Sequence, residues 1–348
     1  MMDYIYRAYF AHFHEEGERY FAAKNDTRLF MLLEELANKY TTLTVFASHE
    51  SFHLVGKVLA TLTEDTLVLT NDTLAPSKAK ESIRGSYLLA WNTTQINVIE
   101  ATQNRHLAPL LAKPTEEKTS FSLIGIDEDS CRILLEPLSQ TFEVAVHVTP
   151  LVEGWIVIDA KSQKYGQIEH FIKSVSQLFG EKMLNTANPI AALVAALIAH
   201  DKRITFAESC TGGLLASLIT KAPGASACFD GSLVSYSNKL KKAWLSVDAH
   251  ILSTRGAVSE SCVQAMVEGA LNASKADIAL ATSGIAGPDG GGDQKPVGTV
   301  FIGIGTKAGD IHVERLLLEG DREYIQTQSA YHALRLLFQT QKRLFFKQ

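Results

Sequence analysis

Apolar residues recur at helical spacing through "TRLFMLLEELANKY" (27–40), whereas "TLTVFAS" and "DTLVLTN" alternate with period two and "INVIEA" makes a further short strand. Beyond a loop containing Pro114 the pattern changes. It reads strand, helix ("DEDSCRILLEPLSQ"), strand ("EVAVHVTP"), strand ("GWIVIDAK") and helix ("GQIEHFIKSVSQLFG"). The break "NTANP" follows, with Asn188 placed as an N-cap and Pro189 at the first helical position. From there helices and buried strands alternate: helix 189–200, strand 203–208, a helix from about 211, and strand "GSLVSYS". A helix capped by Ser259, strand "DIALATS", a glycine-rich loop, strands "VGTVFIGIG" and "IHVERLLLE", and a long helix from about 321 complete the chain.

This succession predicts an α/β protein of three parts. Residues 187–348 form a three-layer α/β/α domain, because helices alternating with buried strands must cover both faces of a sheet. Residues 113–186 form a small α+β unit, and residues 1–112 a mixed α/β domain. Sixteen of the 23 glycines lie from position 187 onward. Loops that admit a ligand close to the backbone need glycine, so the chemistry is expected in the last part.

Composition narrows the field only modestly. Apolar residues make up 46% and charged residues 20% of the 348, and the formal net charge is −5. No basic field therefore draws the chain to nucleic acid or to an anionic membrane. The run "PIAALVAALIAH" is shorter than the roughly 20 residues of a membrane span, and the N-terminus lacks a secretory pattern. Cys131, Cys210, Cys228 and Cys262 show no metal-ligand spacing and read as free thiols of a reducing compartment. A cytoplasmic protein without metal is expected.

Three stretches carry candidate chemistry. In "RITFAESCTGGLLASLIT", Ser209 falls at the carboxyl end of a strand, the edge where open α/β sheets bind ligands. Thr211, Gly212 and Gly213 would open the following helix, whose N–H groups suit an anion or an oxyanion. A serine nucleophile needs a base, and no histidine nearby has a suitable setting. In "FDGSLVSYSNKLKKAW", Lys239, Lys241 and Lys242 each offer an amine that can serve as base if burial or another cation lowers its pKa and leaves it neutral, with Tyr236 nearby. The third stretch, "SGIAGPDGGGDQKPVGTV", is a long shaped loop between strands and fits no phosphate-binding motif.

Together "FAESCTGGLLASLIT", "PGASACFDGSLVSYSNKLK", "RGAVSE", "SGIAGPDGGGDQKPVGTVFIG" and "GDRE" resemble the C-terminal domain of the CinA family, in family order. The resemblance implies a cofactor-free amidohydrolase acting on nicotinamide mononucleotide, giving nicotinic acid mononucleotide and ammonia in pyridine-nucleotide salvage. It implies Ser209 as nucleophile, Lys241 as base through the pattern YSNxxK, and Tyr236 as the lysine's polar partner. Thr211, Gly212 and Gly213 become donors to the oxyanion or ligand, and Ser283, Gly284, Gly287 and Arg322 substrate contacts, with Arg322 suited to the phosphate. Residues 113–186 resemble the KH-like unit of full-length members but lack the GxxG that grips RNA, so they read as a structural or dimer-forming module. Residues 1–112 lack the GGLGPT-type loop of the family's first domain and read as its reduced remnant.

"HESFH" (49–53) matches the zincin pattern HExxH. Ser48 reads as an N-cap, which puts the motif in a first helical turn with His49 and Glu50 outside and Phe52 inside. His12 and His14 likewise read as surface groups. Two further readings of the last domain stand beside the amidohydrolase: hydrolysis of another small amide, and non-catalytic binding of a pyridine nucleotide.

Overall fold

The computed structural model describes residues 18–23, 26–101, 108–112 and 117–346. His12, His14 and Pro114 lie outside the described residues. The chain divides into two compact units, Met1–Thr115 and Glu116–Gln348.

In the first unit α1 (Leu29–Lys39) leads to β1 (Thr42–Ala47) and α2 (His49–Leu62). The hairpin of β2 (Leu67–Thr70) and β3 (Thr73–Pro76) follows, then β4 (Glu81–Ile83), β5 (Ser86–Trp91) and β6 (Thr94–Glu100). The main sheet has the order β1-β6-β5-β4, with β1 parallel to β6 and the other pairs antiparallel. Leu33, Phe52 and Leu59 of the helices pack against Tyr87, Leu89, Ile96 and Val98. Ser48 caps α2 by accepting from the Ser51 N–H. That cap leaves His49 and Glu50 exposed and Phe52 buried, where the N-cap argument put them. His49 Nδ1 pairs with the Glu100 carboxylate. Among the described residues no three His, Cys, Asp or Glu side chains converge as a metal site.

The second unit begins with β7 (Glu117–Ile124), α3 (Glu128–Phe142), β8 (Ala145–Val152), β9 (Trp155–Ser162), α4 (Gln167–Phe179) and β10 (Met183–Leu184). Their sheet is antiparallel in the order β10-β7-β9-β8. This β-α-β-β-α-β succession is the ferredoxin-like arrangement. Phe121, Leu123, Ile156 and Ile158 meet Leu135, Phe171 and Val175 of the two helices beneath it.

The layered part follows: α5 (Pro189–Ala199), β11 (Ile204–Glu208), α6 (Leu214–Thr220), β12 (Phe229–Val234), α7 (Asn238–Leu245), α8 (Ala249–Thr254) and α9 (Glu260–Ser274). It continues with β13 (Ile278–Gly284), β14 (Thr299–Thr306), β15 (Ile311–Leu317), α10 (Arg322–Thr340) and α11 (Lys342–Phe345). The sheet order is β12-β11-β13-β14-β15. Its first three strands are mutually parallel and the last two antiparallel. Period-two alternation divides the strands between two cores. Ile204, Phe206, Leu280 and Ile302 face α5, α6 and α10, while Ala207, Ala279 and Ala281 face Leu245 of α7 and Met266 and Val267 of α9. Asn188 caps α5 with Pro189 at its first position, and Ser259 caps α9. Among the described residues no helix is long and apolar enough to cross a membrane.

Candidate active site

The parallel strands β11, β12 and β13 end together, and the candidate residues gather at that edge. Every side chain of β11 is buried, Glu208 included. Ser209 is the next residue. Its N–H extends the ladder to the Thr282 carbonyl (3.0 Å), and the Ser235 N–H extends the other side to the Glu208 carbonyl (2.8 Å).

Lys241 comes up from α7, whose start is fixed by the Ser237 side chain as N-cap. Its stem runs through the core, leaving the residue 1% exposed. Nζ donates to Ser209 Oγ at 2.7 Å and to the Ser235 carbonyl at 2.7 Å. No carboxylate hydrogen-bonds this amine among the described residues. Desolvation therefore pushes the Lys241 pKa below its ordinary value. Lys239 and Lys242 lie on the exposed side of the same helix. Cys210 and Cys262 are also buried, and burial raises both thiols, Cys210 to about 12. Both stay protonated near neutral pH and are poor nucleophiles.

The turn after Ser209 is organised differently from the sequence expectation. α6 begins at Leu214 rather than near 211, and Gly212 and Gly213 adopt left-handed φ of +60° and +103°. The N–H groups at this helix start are already taken. Glu208 Oε2 accepts from Thr211 Oγ1 (2.8 Å), Gly213 N (2.9 Å) and Leu215 N (3.1 Å). Its Oε1 accepts from Ala216 N (3.1 Å) and Ser232 Oγ (2.9 Å). The Gly212 N–H donates to the Ser209 carbonyl. Gly212 and Gly213 thus have no N–H left to offer an oxyanion, whereas those of Cys210 and Thr211 donate to no oxygen among the described residues. Thr211 Oγ1 gives its only proton to Glu208, so in its 2.8 Å contact with Thr282 Oγ1 it accepts.

Tyr236 also departs from expectation. It is 60% exposed, and its hydroxyl accepts from Arg322 Nη2 at 2.8 Å. No described hydrogen bond joins it to Lys241 or Ser209; the lysine's second partner is the Ser235 carbonyl instead. Arg322, at the start of α10, also donates Nη1 to the Gly287 carbonyl (2.7 Å). It thereby ties the end of β12 to the glycine-rich loop through two uncharged acceptors. Ser283 is buried with Oγ donating to the Ala257 carbonyl. Gly284 closes β13, where a Cβ would stand 2.7 Å from Val300 Cγ2. Both act on the packing around the edge rather than presenting a free polar group. Sequence reasoning missed Glu208, Ser232, Thr282 and Gln326, whose Nε2 donates to the Cys210 carbonyl. The available signal was a lone carboxylate ending an otherwise apolar strand.

A serine hydroxyl against a buried amine at the carboxyl edge of parallel strands is an arrangement that can make a serine nucleophilic. Residues 187–341 match the CinA C-terminal domain. A CinA-like protein of Anaeromyxobacter is 46% identical over 166 residues, 47% of this chain and 40% of its own. The nicotinamide-nucleotide amidohydrolase PncC of Enterobacter agglomerans is 47% identical over 153 residues, 44% of this chain and 91% of its own. The competence damage-inducible protein A of Klebsiella pneumoniae, a crystal structure, aligns at 40% identity and a TM-score of 0.42. That alignment covers 43% of this chain and 92% of the other. The chain belongs to the CinA family. It spans 40% and 57% of the lengths of its Anaeromyxobacter and Caldanaerobacter relatives.

Proposed function

We propose that this chain hydrolyses the carboxamide of nicotinamide mononucleotide, releasing ammonia and nicotinic acid mononucleotide as a step of pyridine-nucleotide salvage. The observation that carries the reading is the 2.7 Å contact between Lys241 Nζ and Ser209 Oγ inside the core. The PncC relatives, at 45–47% identity, support the substrate.

In the neutral amine state the direction of that hydrogen bond reverses, and the serine hydroxyl donates to Nζ. Ser209 Oγ attacks the carboxamide carbon as Lys241 takes its proton. The amide oxygen, now an anion, is received by the Cys210 and Thr211 N–H groups, each such donor contributing about 3 kcal/mol. The ammonium of Lys241 then returns a proton to the amide nitrogen, the C–N bond breaks and ammonia leaves. Water attacks the resulting ester with Lys241 again as base, and Ser209 recovers its proton as the acid departs. Arg322 receives the substrate phosphate by giving up one of its uncharged acceptors, and Tyr236 acts through it. The Ser283 and Gly284 strand end borders the same sheet edge. Every step is carried by the chain's own groups.

The test is ammonia release from nicotinamide mononucleotide. Ser209→Ala is expected to lower turnover by about 10³-fold or more, and Lys241→Ala by on the order of 10²–10⁴-fold, with circular dichroism unchanged. Turnover at the wild-type rate by either variant overturns the assignment.

A further inference from the structure

The buried carboxylate behind the nucleophile has no part in these steps. We infer that Glu208 is a positioning residue whose five hydrogen bonds fix the Ser209 turn at the distance the dyad requires; this rests on Ser209 being the nucleophile. Removing a carboxylate from water costs several kcal/mol, and no cation hydrogen-bonds this one among the described residues. Its compensation comes from four donors in the turn and first helical residues, Thr211, Gly213, Leu215 and Ala216, and from Ser232 on the neighbouring strand. Glu208 therefore ties together the end of β11, the middle of β12 and the start of α6. Ser209 lies between this anchor and the Thr282 carbonyl that holds its N–H. Thr282 Oγ1 closes the loop through Thr211.

The geometry also explains why the helix start serves no oxyanion. The carboxylate occupies the place an anion would take, which leaves only the Cys210 and Thr211 N–H groups without an oxygen acceptor among the described residues. Glu208→Gln keeps the volume but turns one acceptor into an NH₂ that faces N–H donors. The turn must then rearrange, and Ser209 moves relative to Lys241.

The experiment measures two quantities on the full chain: the rate constant for labelling of Ser209 by a fluorophosphonate, followed by intact mass, and kcat and KM for ammonia release. Displacements of about 1 Å cost on the order of 10²-fold in reactivity. Glu208→Gln is expected to slow labelling at least tenfold while reaching the same final stoichiometry. Its kcat should fall in parallel and its KM stay within about threefold. Ser232→Ala, which removes one donor from outside the turn, is expected to slow labelling severalfold and decides the matter if Glu208→Gln does not fold. Labelling of folded variants at the wild-type rate overturns the inference. A wild-type chain whose Ser209 does not label overturns both the nucleophile and its positioning. A wild-type chain that labels at Ser209 but releases no ammonia removes the substrate alone, and slowed labelling of the variants still supports Glu208.

Discussion

At the scale of single residues, the proposed chemistry turns on one amine kept out of water. Lys241 is paired with a hydroxyl and a carbonyl, neither of which carries charge, so burial dominates and its pKa falls. In the proposed mechanism the unprotonated amine is the base. Activity must therefore rise as pH rises through the folded-state pKa, and that rise must lie below the range of a free lysine. A kcat/KM profile on nicotinamide mononucleotide checks this, with an ascending limb below about pH 10 expected for the wild type. Lys241→Arg keeps the positive charge at every accessible pH and is expected to lose the limb together with the activity. An ascending limb at or above the range of a free lysine in the wild type contradicts the assignment. Ser209 and Lys241 were legible in the sequence because strand alternation and a helix start place them, and the family pattern chose among three lysines. Glu208 and Tyr236 were not. The partners of Glu208 depend on the left-handed turn that brings the start of α6 back onto it and on Ser232 of the next strand, and Tyr236 turns outward just before α7 begins.

At the scale of elements, Lys241 is only as well placed as α7, and α7 is placed by its contact with α9. Gly269 makes that contact. A Cβ built there falls 2.1 Å from the Leu245 carbonyl oxygen, which belongs to rigid backbone. Gly269→Ala must push the last turn of α7 away from α9. Overpacking of this kind costs about 1–3 kcal/mol, and the displacement carries Lys241 with it. The expected result is a lower thermal midpoint and at least a tenfold loss in ammonia release, the second effect separating this glycine from an ordinary packing position. Unchanged turnover in a folded Gly269→Ala protein shows that α7 is positioned elsewhere. The longer helices and most strands were readable because their apolar periods are long, whereas the six-residue α8 was not read. β12 was read about two residues late, since "GSLVSYS" continues to alternate after the ladder has ended and the chain has turned toward the Ser237 cap. α6 was read early, because the polar residues that would open a helix spend their donors on Glu208. β3, β4 and β5 were not read at all: β3 and β4 are three or four residues long, and after Ser86 the run "YLLAW" is continuously apolar with no period to count.

At the scale of the molecule, the second unit is joined through α10. One face of this helix lies in the core beside the catalytic sheet. The same helix receives the β8–β9 hairpin, with Trp155 edge-on to Phe338 at 5.3 Å and to Tyr331 at 6.0 Å. Gln328 Nε2 donates to the Leu151 carbonyl on the same hairpin. The ferredoxin-like part therefore stabilises the helix that supplies Arg322 and Gln326, while every hydrogen bond of the Ser209 turn lies within residues 203–326. Stability and chemistry should separate accordingly. A fragment of residues 116–348 is expected to match the full chain in kcat and KM. A fragment of residues 187–348 should keep a kcat of the same order, yet melt at a temperature lower by about 10 °C, because losing a buried tryptophan contact costs about 3–5 kcal/mol. Trp155→Ala in the full chain should lower the melting temperature of the second unit by a similar amount without changing the pH of the kcat/KM limb. Equal melting of the two fragments means that the hairpin contributes nothing to α10. An intact melting temperature with lost turnover in 187–348 means that the ferredoxin-like part acts on the site itself.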